Sequence, residues 1–316
     1  MKVKATALYP HPGYEAHVAM NLSTDAGGNV SMKELQETIK AYTLGPGTTM
    51  KDIMIPGPEE GVELKLRIIT PAGLPEKSPV ILDIHGGGFV GGNLDIDNYR
   101  NIYLAEHTPC IVTSIEYRLA TRDNKAIDLL MDCHAAYRWL LEHAEEIGGD
   151  SSRIGVHGTS AGGNLSAGLA LWIRDHGEPA PALTVLNVPA LTMDMTESKL
   201  MFGGLMGAPM PSYLEEPEAI FLNPDGNPVS YYSMPLYCRD LQHLGPHFVV
   251  VAEYDPLRDE GLQYALKLLH YKVPCEIISA PRVTHGFCVV DQPLTRWVHD
   301  GICASFRREF GLEAKI

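Results

Sequence analysis

The pentapeptide Gly158-Thr159-Ser160-Ala161-Gly162 has the composition that a serine nucleophile requires. It follows a short apolar run that ends at Val156, so the pattern Gly-x-Ser-x-Gly is predicted to form a tight turn between a strand and a helix. A serine at the apex of such a turn presents its hydroxyl to a substrate, because its neighbours are small. Small residues also pack well wherever a helix meets a sheet. The motif therefore indicates a nucleophile only if a base, an acid and an oxyanion site accompany it.

A base and an acid follow Ser160 at positions that suit a catalytic triad. Asp255 comes after the apolar run His247–Ala252, and His285 comes after the run Cys275–Ser279. The interval between them is about one strand–helix–strand unit, which would carry both to the same edge of neighbouring strands. Ser160 is thus predicted to be the nucleophile, His285 the base and Asp255 the orienting acid, in the chain order of an α/β-hydrolase triad.

Other acids and another histidine lie near these positions. Asp259 and Glu260 fall where a helix is expected to begin, and Asp259 suits its N-cap. Glu253 is predicted to point away from the face that Tyr254 occupies. His157 adjoins the serine turn, but its place at a strand end favours a packed neighbour. Asp255 is preferred because sheets of this kind gather their catalytic groups at the C-terminal edge of the strands.

A glycine-rich segment provides the third element of the predicted site. His85-Gly86-Gly87-Gly88-Phe89 directly follows the apolar run Pro79–Ile84. Glycines let the backbone approach a reacting centre and point N–H groups at it. A loop of this type after the third strand forms the oxyanion hole in lipases and esterases, with a further N–H from the residue after the nucleophile, here Ala161.

The same segment also satisfies a different motif. Gly86-x-Gly88-x-x-Gly91 has the spacing of a dinucleotide-binding loop, and Glu116 lies about where a ribose-binding acid is expected. That motif should itself open a helix, whereas residues 92–97 delay one. It also leaves Ser160 and His285 without a role, so a nucleotide-dependent dehydrogenase is the weaker interpretation.

Apolar runs and helical patterns alternate along the chain. Continuous apolar runs of this length are typical of strands that a parallel sheet buries on both faces, and they occur at Pro79–Ile84, Cys110–Ile115, Arg153–Val156, Leu183–Val188, His247–Ala252 and Cys275–Ser279. An alternating segment, Val62–Ile69, predicts a strand with one wet face. Helical spacing is found over Ala126–Ile147, Gly261–Tyr271 and Leu294–Phe310. The pattern predicts an α/β fold with a mostly parallel central sheet and helices on both faces.

Two stretches stand outside this alternation. Residues 1–46 include a capping-box pattern, Ser31-x-x-Glu34, which predicts a helix from about Ser31. Residues 191–236, rich in Met, Pro and aromatic side chains, are predicted to be an insertion over the active-site edge of the sheet. We expect residues 1–316 to form one domain, with a helical cap contributed by about 1–46 and about 191–236.

Composition and charge limit the classes of partner and cofactor that the protein is expected to bind. The formal net charge of −14 disfavours nucleic acid and anionic membranes. The opening residues lack the pattern of a secretory signal and no apolar run is long enough to span a bilayer, so a cytoplasmic location is expected. The six cysteines are scattered in apolar stretches, which favours reduced thiols, and none of them forms the Cys-x-x-Cys pair typical of a zinc site. No metal or cofactor is expected.

With these residues placed, the chain resembles the hormone-sensitive-lipase-like family of α/β-hydrolase carboxylesterases over about residues 62–312. The similarity rests on five segments in fixed order, namely His85–Phe89, Glu116–Ala120, Gly158–Leu165, Asp255–Gly261 and His285–Phe287. The resemblance implies Ser160, His285 and Asp255 as the triad, and the N–H groups of Gly87, Gly88 and Ala161 as the oxyanion hole. It also implies an α/β-hydrolase fold, a cap, and hydrolysis of short- to medium-chain acyl esters without a cofactor.

The chain departs from the family pattern at two places. The residue before the nucleophile is often Asp, and Thr159 here is similar to a subgroup with Gly-Thr-Ser-Ala-Gly. After Ala120 the family usually continues Pro-Glu, whereas this chain has Thr121-Arg122.

The sequence favours a serine carboxylesterase that acts on a small ester through an acyl-enzyme. An amidase or arylformamidase on the same triad remains an alternative, as does a relative that binds a small molecule without cleaving it. An edge strand or a terminal helix would suit homodimerisation.

Overall fold

The protein has a single eight-stranded sheet flanked by helices, seen in a computed structural model that describes residues 8–23, 43–121, 123–203, 221, 229–289 and 291–312. The strands are β1 Thr49–Pro56, β2 Glu63–Thr70, β3 Ser78–Ile84, β4 Ile111–Glu116, β5 Gly149–Thr159, β6 Thr184–Asn187, β7 His247–Ala252 and β8 Cys275–Ala280. The α-helices within these residues are α1 Glu15–Ser23, α2 Asn98–His107, α3 Ala126–His143, α4 Ala161–His176, α5 Glu197–Phe202, α6 Arg258–His270 and α7 Pro293–Glu309.

The strand order explains why the predicted catalytic residues meet. The sheet runs β1-β2-β4-β3-β5-β6-β7-β8, with β1 and β2 antiparallel to their neighbours and the remaining strands parallel. The carboxyl ends of β3, β5, β7 and β8 therefore lie along one edge. Each of these ends leads into one of the segments that the sequence marked for chemistry.

Helices cover both faces of the sheet, because the inner strands are apolar on both sides. Ile81 and Leu82 are fully buried neighbours on β3 that belong to different core clusters. On the face of Leu82 the core includes side chains of α3 and α4, and the face of Ile81 packs against α2 and α7. A further cluster joins α4 and α6 over β6 and β7. The predicted mostly parallel α/β sheet with helices on both faces is confirmed.

Several elements escaped the sequence patterns, among them helix α1. The edge strand β1 and helix α2 were not predicted. The predicted helix over Ala126–Ile147 forms α3 and a short 3₁₀ turn, Ala144–Ile147. Helix α6 begins at Arg258, three residues before the predicted start, so the N-cap position predicted for Asp259 is wrong. The helix predicted from Ser31 lies outside the described residues.

Candidate active site

Ser160 lies at a sharp turn between β5 and α4. Its backbone has φ 59° and ψ −115°, a conformation that non-glycine residues rarely adopt and that the surrounding structure must hold in place. The Ser160 N–H donates to the Asn187 carbonyl (2.8 Å), and the Ser160 carbonyl accepts from the N–H groups of Asn164 (3.1 Å) and Ala190 (3.2 Å). We call Gly158–Gly162 the elbow. The serine is thereby fixed by β6 and α4, and it retains 9% of its accessible surface.

The side chains of Ser160, His285 and Asp255 form one continuous hydrogen-bonded chain. His285 Nε2 lies 2.9 Å from Ser160 Oγ, and His285 Nδ1 lies 2.8 Å from Asp255 Oδ2. A carboxylate accepts hydrogen bonds only, so Nδ1 carries the proton and Nε2 is free to accept the serine proton. The structure thus brings together the three residues that the sequence predicted to act as a unit.

The acid is well fixed beneath the imidazole. Asp255 is fully buried, and its second oxygen, Oδ1, accepts the N–H of Leu257 at 2.8 Å. Residues Ala252 and Ala280 pair at the ends of the parallel strands β7 and β8, so the loops that carry Asp255 and His285 start side by side. Burial alone would lower the pKa of His285, but the charge and hydrogen bond of Asp255 outweigh it and raise that pKa above 6.5.

The other candidates from the sequence have different partners. Asp259 accepts from the N–H of Ser198 (2.7 Å) and from Arg258 (2.9 Å). Glu260 is buried, accepts the N–H of Leu191 at 2.6 Å, and lies 2.5 Å from the ammonium group of Lys199. These contacts attach helix α5 and the residues before it to the first turn of α6.

Two further polar residues also lie away from the triad. Glu253 accepts the N–H of Arg282. His157 is fully buried and donates to Asp83 at 2.9 Å, as expected for a packed neighbour.

The glycine-rich segment packs directly against the elbow. A Cβ on Gly162 would lie 1.9 Å from the Ile84 carbonyl, so only glycine lets the start of α4 approach the end of β3. Gly87 has φ +128°, and a Cβ there would lie 2.1 Å from the Gly91 carbonyl. We call residues 85–91 the glycine loop. Its glycines permit the close approach that an oxyanion site requires.

Three backbone N–H groups at this junction are unused. Among the described residues, the N–H groups of Gly87, Gly88 and Ala161 make no hydrogen bond within the chain. Ala161 is also the first residue of α4, where the helix dipole favours negative charge. These groups can therefore donate to a negatively charged oxygen that forms beside Ser160.

Tyr117 supports the glycine loop from the next strand. Its hydroxyl donates to the carbonyl of His85 (2.9 Å), and its ring stacks on the His85 imidazole with centroids 4.2 Å apart. The Ala120 N–H donates to the Phe89 carbonyl at 2.8 Å. The segment Glu116–Ala120 thus braces the loop, a role that its apolar and charged pattern did not reveal. Thr121 begins a turn closed by Asn124, and Arg122 lies outside the described residues.

Helix α1 contacts the loop that carries the base. His17 Nε2 donates to the His285 carbonyl at 3.1 Å. The buried hydroxyl of Tyr14 lies 2.6 Å from Thr295 Oγ1, which in turn donates to the Phe287 carbonyl (3.2 Å). The N-terminal segment therefore packs on the loop behind His285.

The structure disfavours the dinucleotide-binding alternative. The glycine loop does not open a helix, because α2 begins only at Asn98, and Glu116 pairs with Lys65 instead. Within the described ranges no group of three or more His, Cys, Asp or Glu side chains could hold a metal ion. All six cysteines are free thiols.

None of the helices that the structure describes is long and apolar enough to cross a membrane.

Comparisons with known proteins assign the chain to a family. Residues 81–289 match the family model described as alpha/beta hydrolase fold. The chain is 31% identical over 288 residues to the esterase LipI of Mycobacterium tuberculosis, covering 85% of this chain and 84% of that protein. It is 30% identical over 231 residues to an arylesterase of Saccharolobus solfataricus, covering 72% of this chain and 74% of that one.

Solved structures of esterases are similar to this chain as well. A bacterial heroin esterase superposes with a TM-score of 0.77 at 31% identity, covering 98% of this chain and 94% of that chain. An ester hydrolase from the metagenome of Lake Arreo, complexed with a derivative of bipyridine phosphonate, superposes with a TM-score of 0.83 at 26% identity, covering 96% and 100% of the two chains. The chain belongs to the α/β-hydrolase family, and the predicted resemblance to hormone-sensitive-lipase-like esterases is confirmed.

Proposed function

We propose that this protein is a serine carboxylesterase that cleaves small acyl esters through an acyl-enzyme on Ser160. One observation carries the proposal, the unbroken hydrogen-bonded chain from Ser160 Oγ through His285 to Asp255. The named relatives, an esterase and an arylesterase, support the same reaction class.

The arrangement of Ser160, His285 and Asp255 provides a donor and an acceptor for each proton transfer in acylation. Ser160 Oγ attacks the ester carbonyl carbon while His285 Nε2 takes the serine proton. The imidazolium is stabilised by the Asp255 carboxylate at Nδ1, and it then donates the proton to the departing alkoxide, which leaves as an alcohol. In deacylation a water molecule gives its proton to Nε2, attacks the acyl carbon and releases the acid, and the proton returns to Ser160.

The oxyanion of the tetrahedral intermediate is assigned to the free N–H groups of Gly87, Gly88 and Ala161. Donors that are fixed before the reaction need no reorganisation as the charge develops, and losing one typically costs about 3–4 kcal/mol of transition-state stabilisation. The elbow touches the glycine loop directly, because a Cβ on Gly162 would lie 2.6 Å from the His85 carbonyl, so these donors and the serine belong to one packed unit.

The substrate class is proposed to be short- to medium-chain esters, with a preference for short acyl chains. Residues 1–46 and 191–236 are proposed to cap the single domain. Within the described parts of the insertion, 191–203, 221 and 229–236, the one α-helix is α5 with six residues, and Leu200 and Met201 on it are exposed. A p-nitrophenyl ester series from acetate to decanoate tests this preference. A higher kcat/KM for decanoate than for butyrate would contradict it.

The direct test is hydrolysis of p-nitrophenyl acetate by the wild type and two serine variants. Ser160→Ala should reduce kcat by more than about 10⁴-fold, because the nucleophile is removed. Ser166→Ala is the matched control, since Ser166 is buried in α4 one helical turn after Gly162 and its hydroxyl donates to the Gly162 carbonyl, not to the triad. Ser166→Ala should retain activity within a few-fold. Equal turnover by wild type and Ser160→Ala would rule the mechanism out.

A further inference from the structure

A buried guanidinium lies behind the active site. It contacts both the strand that leads to Ser160 and the strand that leads to the glycine loop. Arg100 on α2 retains 2% of its accessible surface. Its Nη1 donates to Thr159 Oγ1 at 2.6 Å, and its Nη2 donates to Asp83 Oδ1 at 2.7 Å. Thr159 immediately precedes Ser160, and Asp83 is followed by Ile84 and then by the glycine loop. One planar side chain therefore connects the nucleophile's strand to the strand of the oxyanion donors.

Carboxylates surround the buried guanidinium of Arg100. Asp97 adds a second carboxylate contact at 3.0 Å. Asp83 accepts further hydrogen bonds from His157 (2.9 Å) and Asn101 (2.8 Å). Burial alone would raise the pKa of Asp83, but the charge of Arg100 and the bond from His157 hold it well below its usual range. Two carboxylates, Asp83 and Asp97, therefore flank one guanidinium.

The elbow depends on this cluster because Ser160 is strained. Thr159 Oγ1 accepts a second hydrogen bond, from Asn187 Nδ2 at 3.2 Å, so it lies between donors on α2 and β6. Asn187 also accepts the Ser160 N–H through its backbone carbonyl. A backbone at φ 59° persists only where its neighbours fix it, and Thr159 is the neighbour that Arg100 fixes.

We propose that Arg100 is a positioning residue for acyl transfer, which acts through Thr159 and Asp83 to hold Ser160 and the glycine-loop donors in register. The inference rests on the proposed esterase function. It also accounts for threonine rather than aspartate at position 159. A third carboxylate beside Arg100 would leave an uncompensated charge in a buried site, whereas the threonine hydroxyl accepts the guanidinium without adding charge.

Thr159 variants test the proposal without removing the buried cation. Thr159→Val keeps the shape and loses the hydroxyl, and it should lower kcat about 10- to 100-fold with KM within twofold, because small displacements of a nucleophile are costly. Thr159→Ser retains the hydroxyl and should stay within threefold of the wild type. The matched control is Thr113→Val, since Thr113 is also a buried strand threonine and its hydroxyl donates to the Ile81 carbonyl, away from the site. It should change stability but not kcat.

Arg100→Lys is a second variant, because a single ammonium cannot bond Asp83 and Thr159 as the guanidinium fork does. We expect a loss of kcat at least as large as that of Thr159→Val. If Thr159→Val loses thermal stability as Thr113→Val does, and keeps kcat within twofold, the cluster is structural only and the positioning role is overturned.

A crystal structure of Thr159→Val gives a readout that needs no substrate. The distance from Ser160 Oγ to His285 Nε2, 2.9 Å in the wild type, should exceed 3.5 Å in the variant. An unchanged distance would contradict the proposal. Failure of the wild type to hydrolyse esters would instead overturn the proposed function, and the crystallographic distance would still decide the role of Arg100.

Discussion

His285 Nε2 lies within hydrogen-bond distance of Ser160 Oγ, 2.9 Å, although the two residues are 125 positions apart in the chain. The contact exists because β5 and β8 are parallel strands of one sheet whose carboxyl ends open on the same edge. A base that already lies within hydrogen-bond distance of the serine hydroxyl requires no rearrangement before attack. The triad is therefore assembled before a substrate binds.

Asp255→Asn should lower kcat by about 10⁴-fold, because an amide can donate to Nδ1 and so favour the tautomer whose Nε2 carries a proton. The matched variant is Asp259→Asn, since Asp259 contacts Ser198 and Arg258 and not the imidazole. It should remain within about tenfold of the wild type. Steady-state hydrolysis of p-nitrophenyl butyrate by both variants measures the difference. A greater loss in Asp259→Asn would show that the acid has been assigned to the wrong residue.

The pH dependence of kcat/KM should report His285 in the free enzyme. Its pKa is raised above 6.5 because Asp255 stabilises the imidazolium more than burial disfavours it. The base acts in its neutral form, so activity should fall as the pH drops through a value above 6.5. A profile measured between about pH 5 and 9 with an ester of non-ionising alcohol tests this. An acidic limb centred below 6 would contradict the electrostatic role of Asp255.

Gly87→Ala should lower kcat by about 10²–10³-fold, the range expected when an oxyanion donor is displaced. The added Cβ would lie 2.1 Å from the Gly91 carbonyl, so the glycine loop must move. Gly61→Ala is the control, because Gly61 also has a positive φ (+83°) but its Cβ would meet nothing within 4 Å. Both variants should lose stability through backbone strain, and only Gly87→Ala should lose turnover. Equal kcat values in the two variants would remove the glycine loop from the mechanism.

Glu260 should make stability depend on pH. Burial, partly opposed by Lys199, raises the pKa of Glu260 to about 7 from 4.5. The folded protein therefore keeps a proton that the unfolded chain has lost, which stabilises the fold below about pH 4.5 and ceases to do so as the pH rises through about 7.

The free energy of unfolding of the wild type relative to Glu260→Gln should therefore decrease between about pH 5 and 7.5, with about 1.4 kcal/mol for each unit of pKa difference. Urea unfolding at several pH values measures it. Glu142→Gln, which alters an exposed pair with Arg138, is the control and should show no such trend. An identical pH trend for Glu260→Gln and the wild type would show that Glu260 titrates normally.

The inner strands could be predicted from the sequence because helices cover the sheet on both faces, which makes these strands continuously apolar. The run His247–Ala252 was predicted with the bounds that β7 has, and all six of its residues are buried. Strand β1 could not be predicted in the same way, since it is an edge strand with mostly exposed residues and a proline at its end. A strand of that kind lacks the apolar run from which the others were found.

The triad residues were predictable because their order along the chain and their places after apolar runs are both constrained. The residues that hold the triad in place could not be predicted from the sequence. Arg100 and Asn101 are polar side chains on the buried face of α2, which hides its helical periodicity. Their partners, Asp83 and Thr159, lie 17 and 59 positions from Arg100. Only the folded sheet shows that these polar groups are hydrogen-bonded to one another.

The most direct test of the account is covalent labelling of Ser160 with one equivalent of a fluorophosphonate, followed by intact mass measurement and peptide mapping. We predict one phosphonyl group per chain, attached to Ser160, with ester turnover lost in proportion to labelling, and no reaction in Ser160→Ala. Full ester turnover by a wild type that remains unlabelled, or labelling of a different residue that abolishes turnover, would contradict the central claim that Ser160 is the nucleophile.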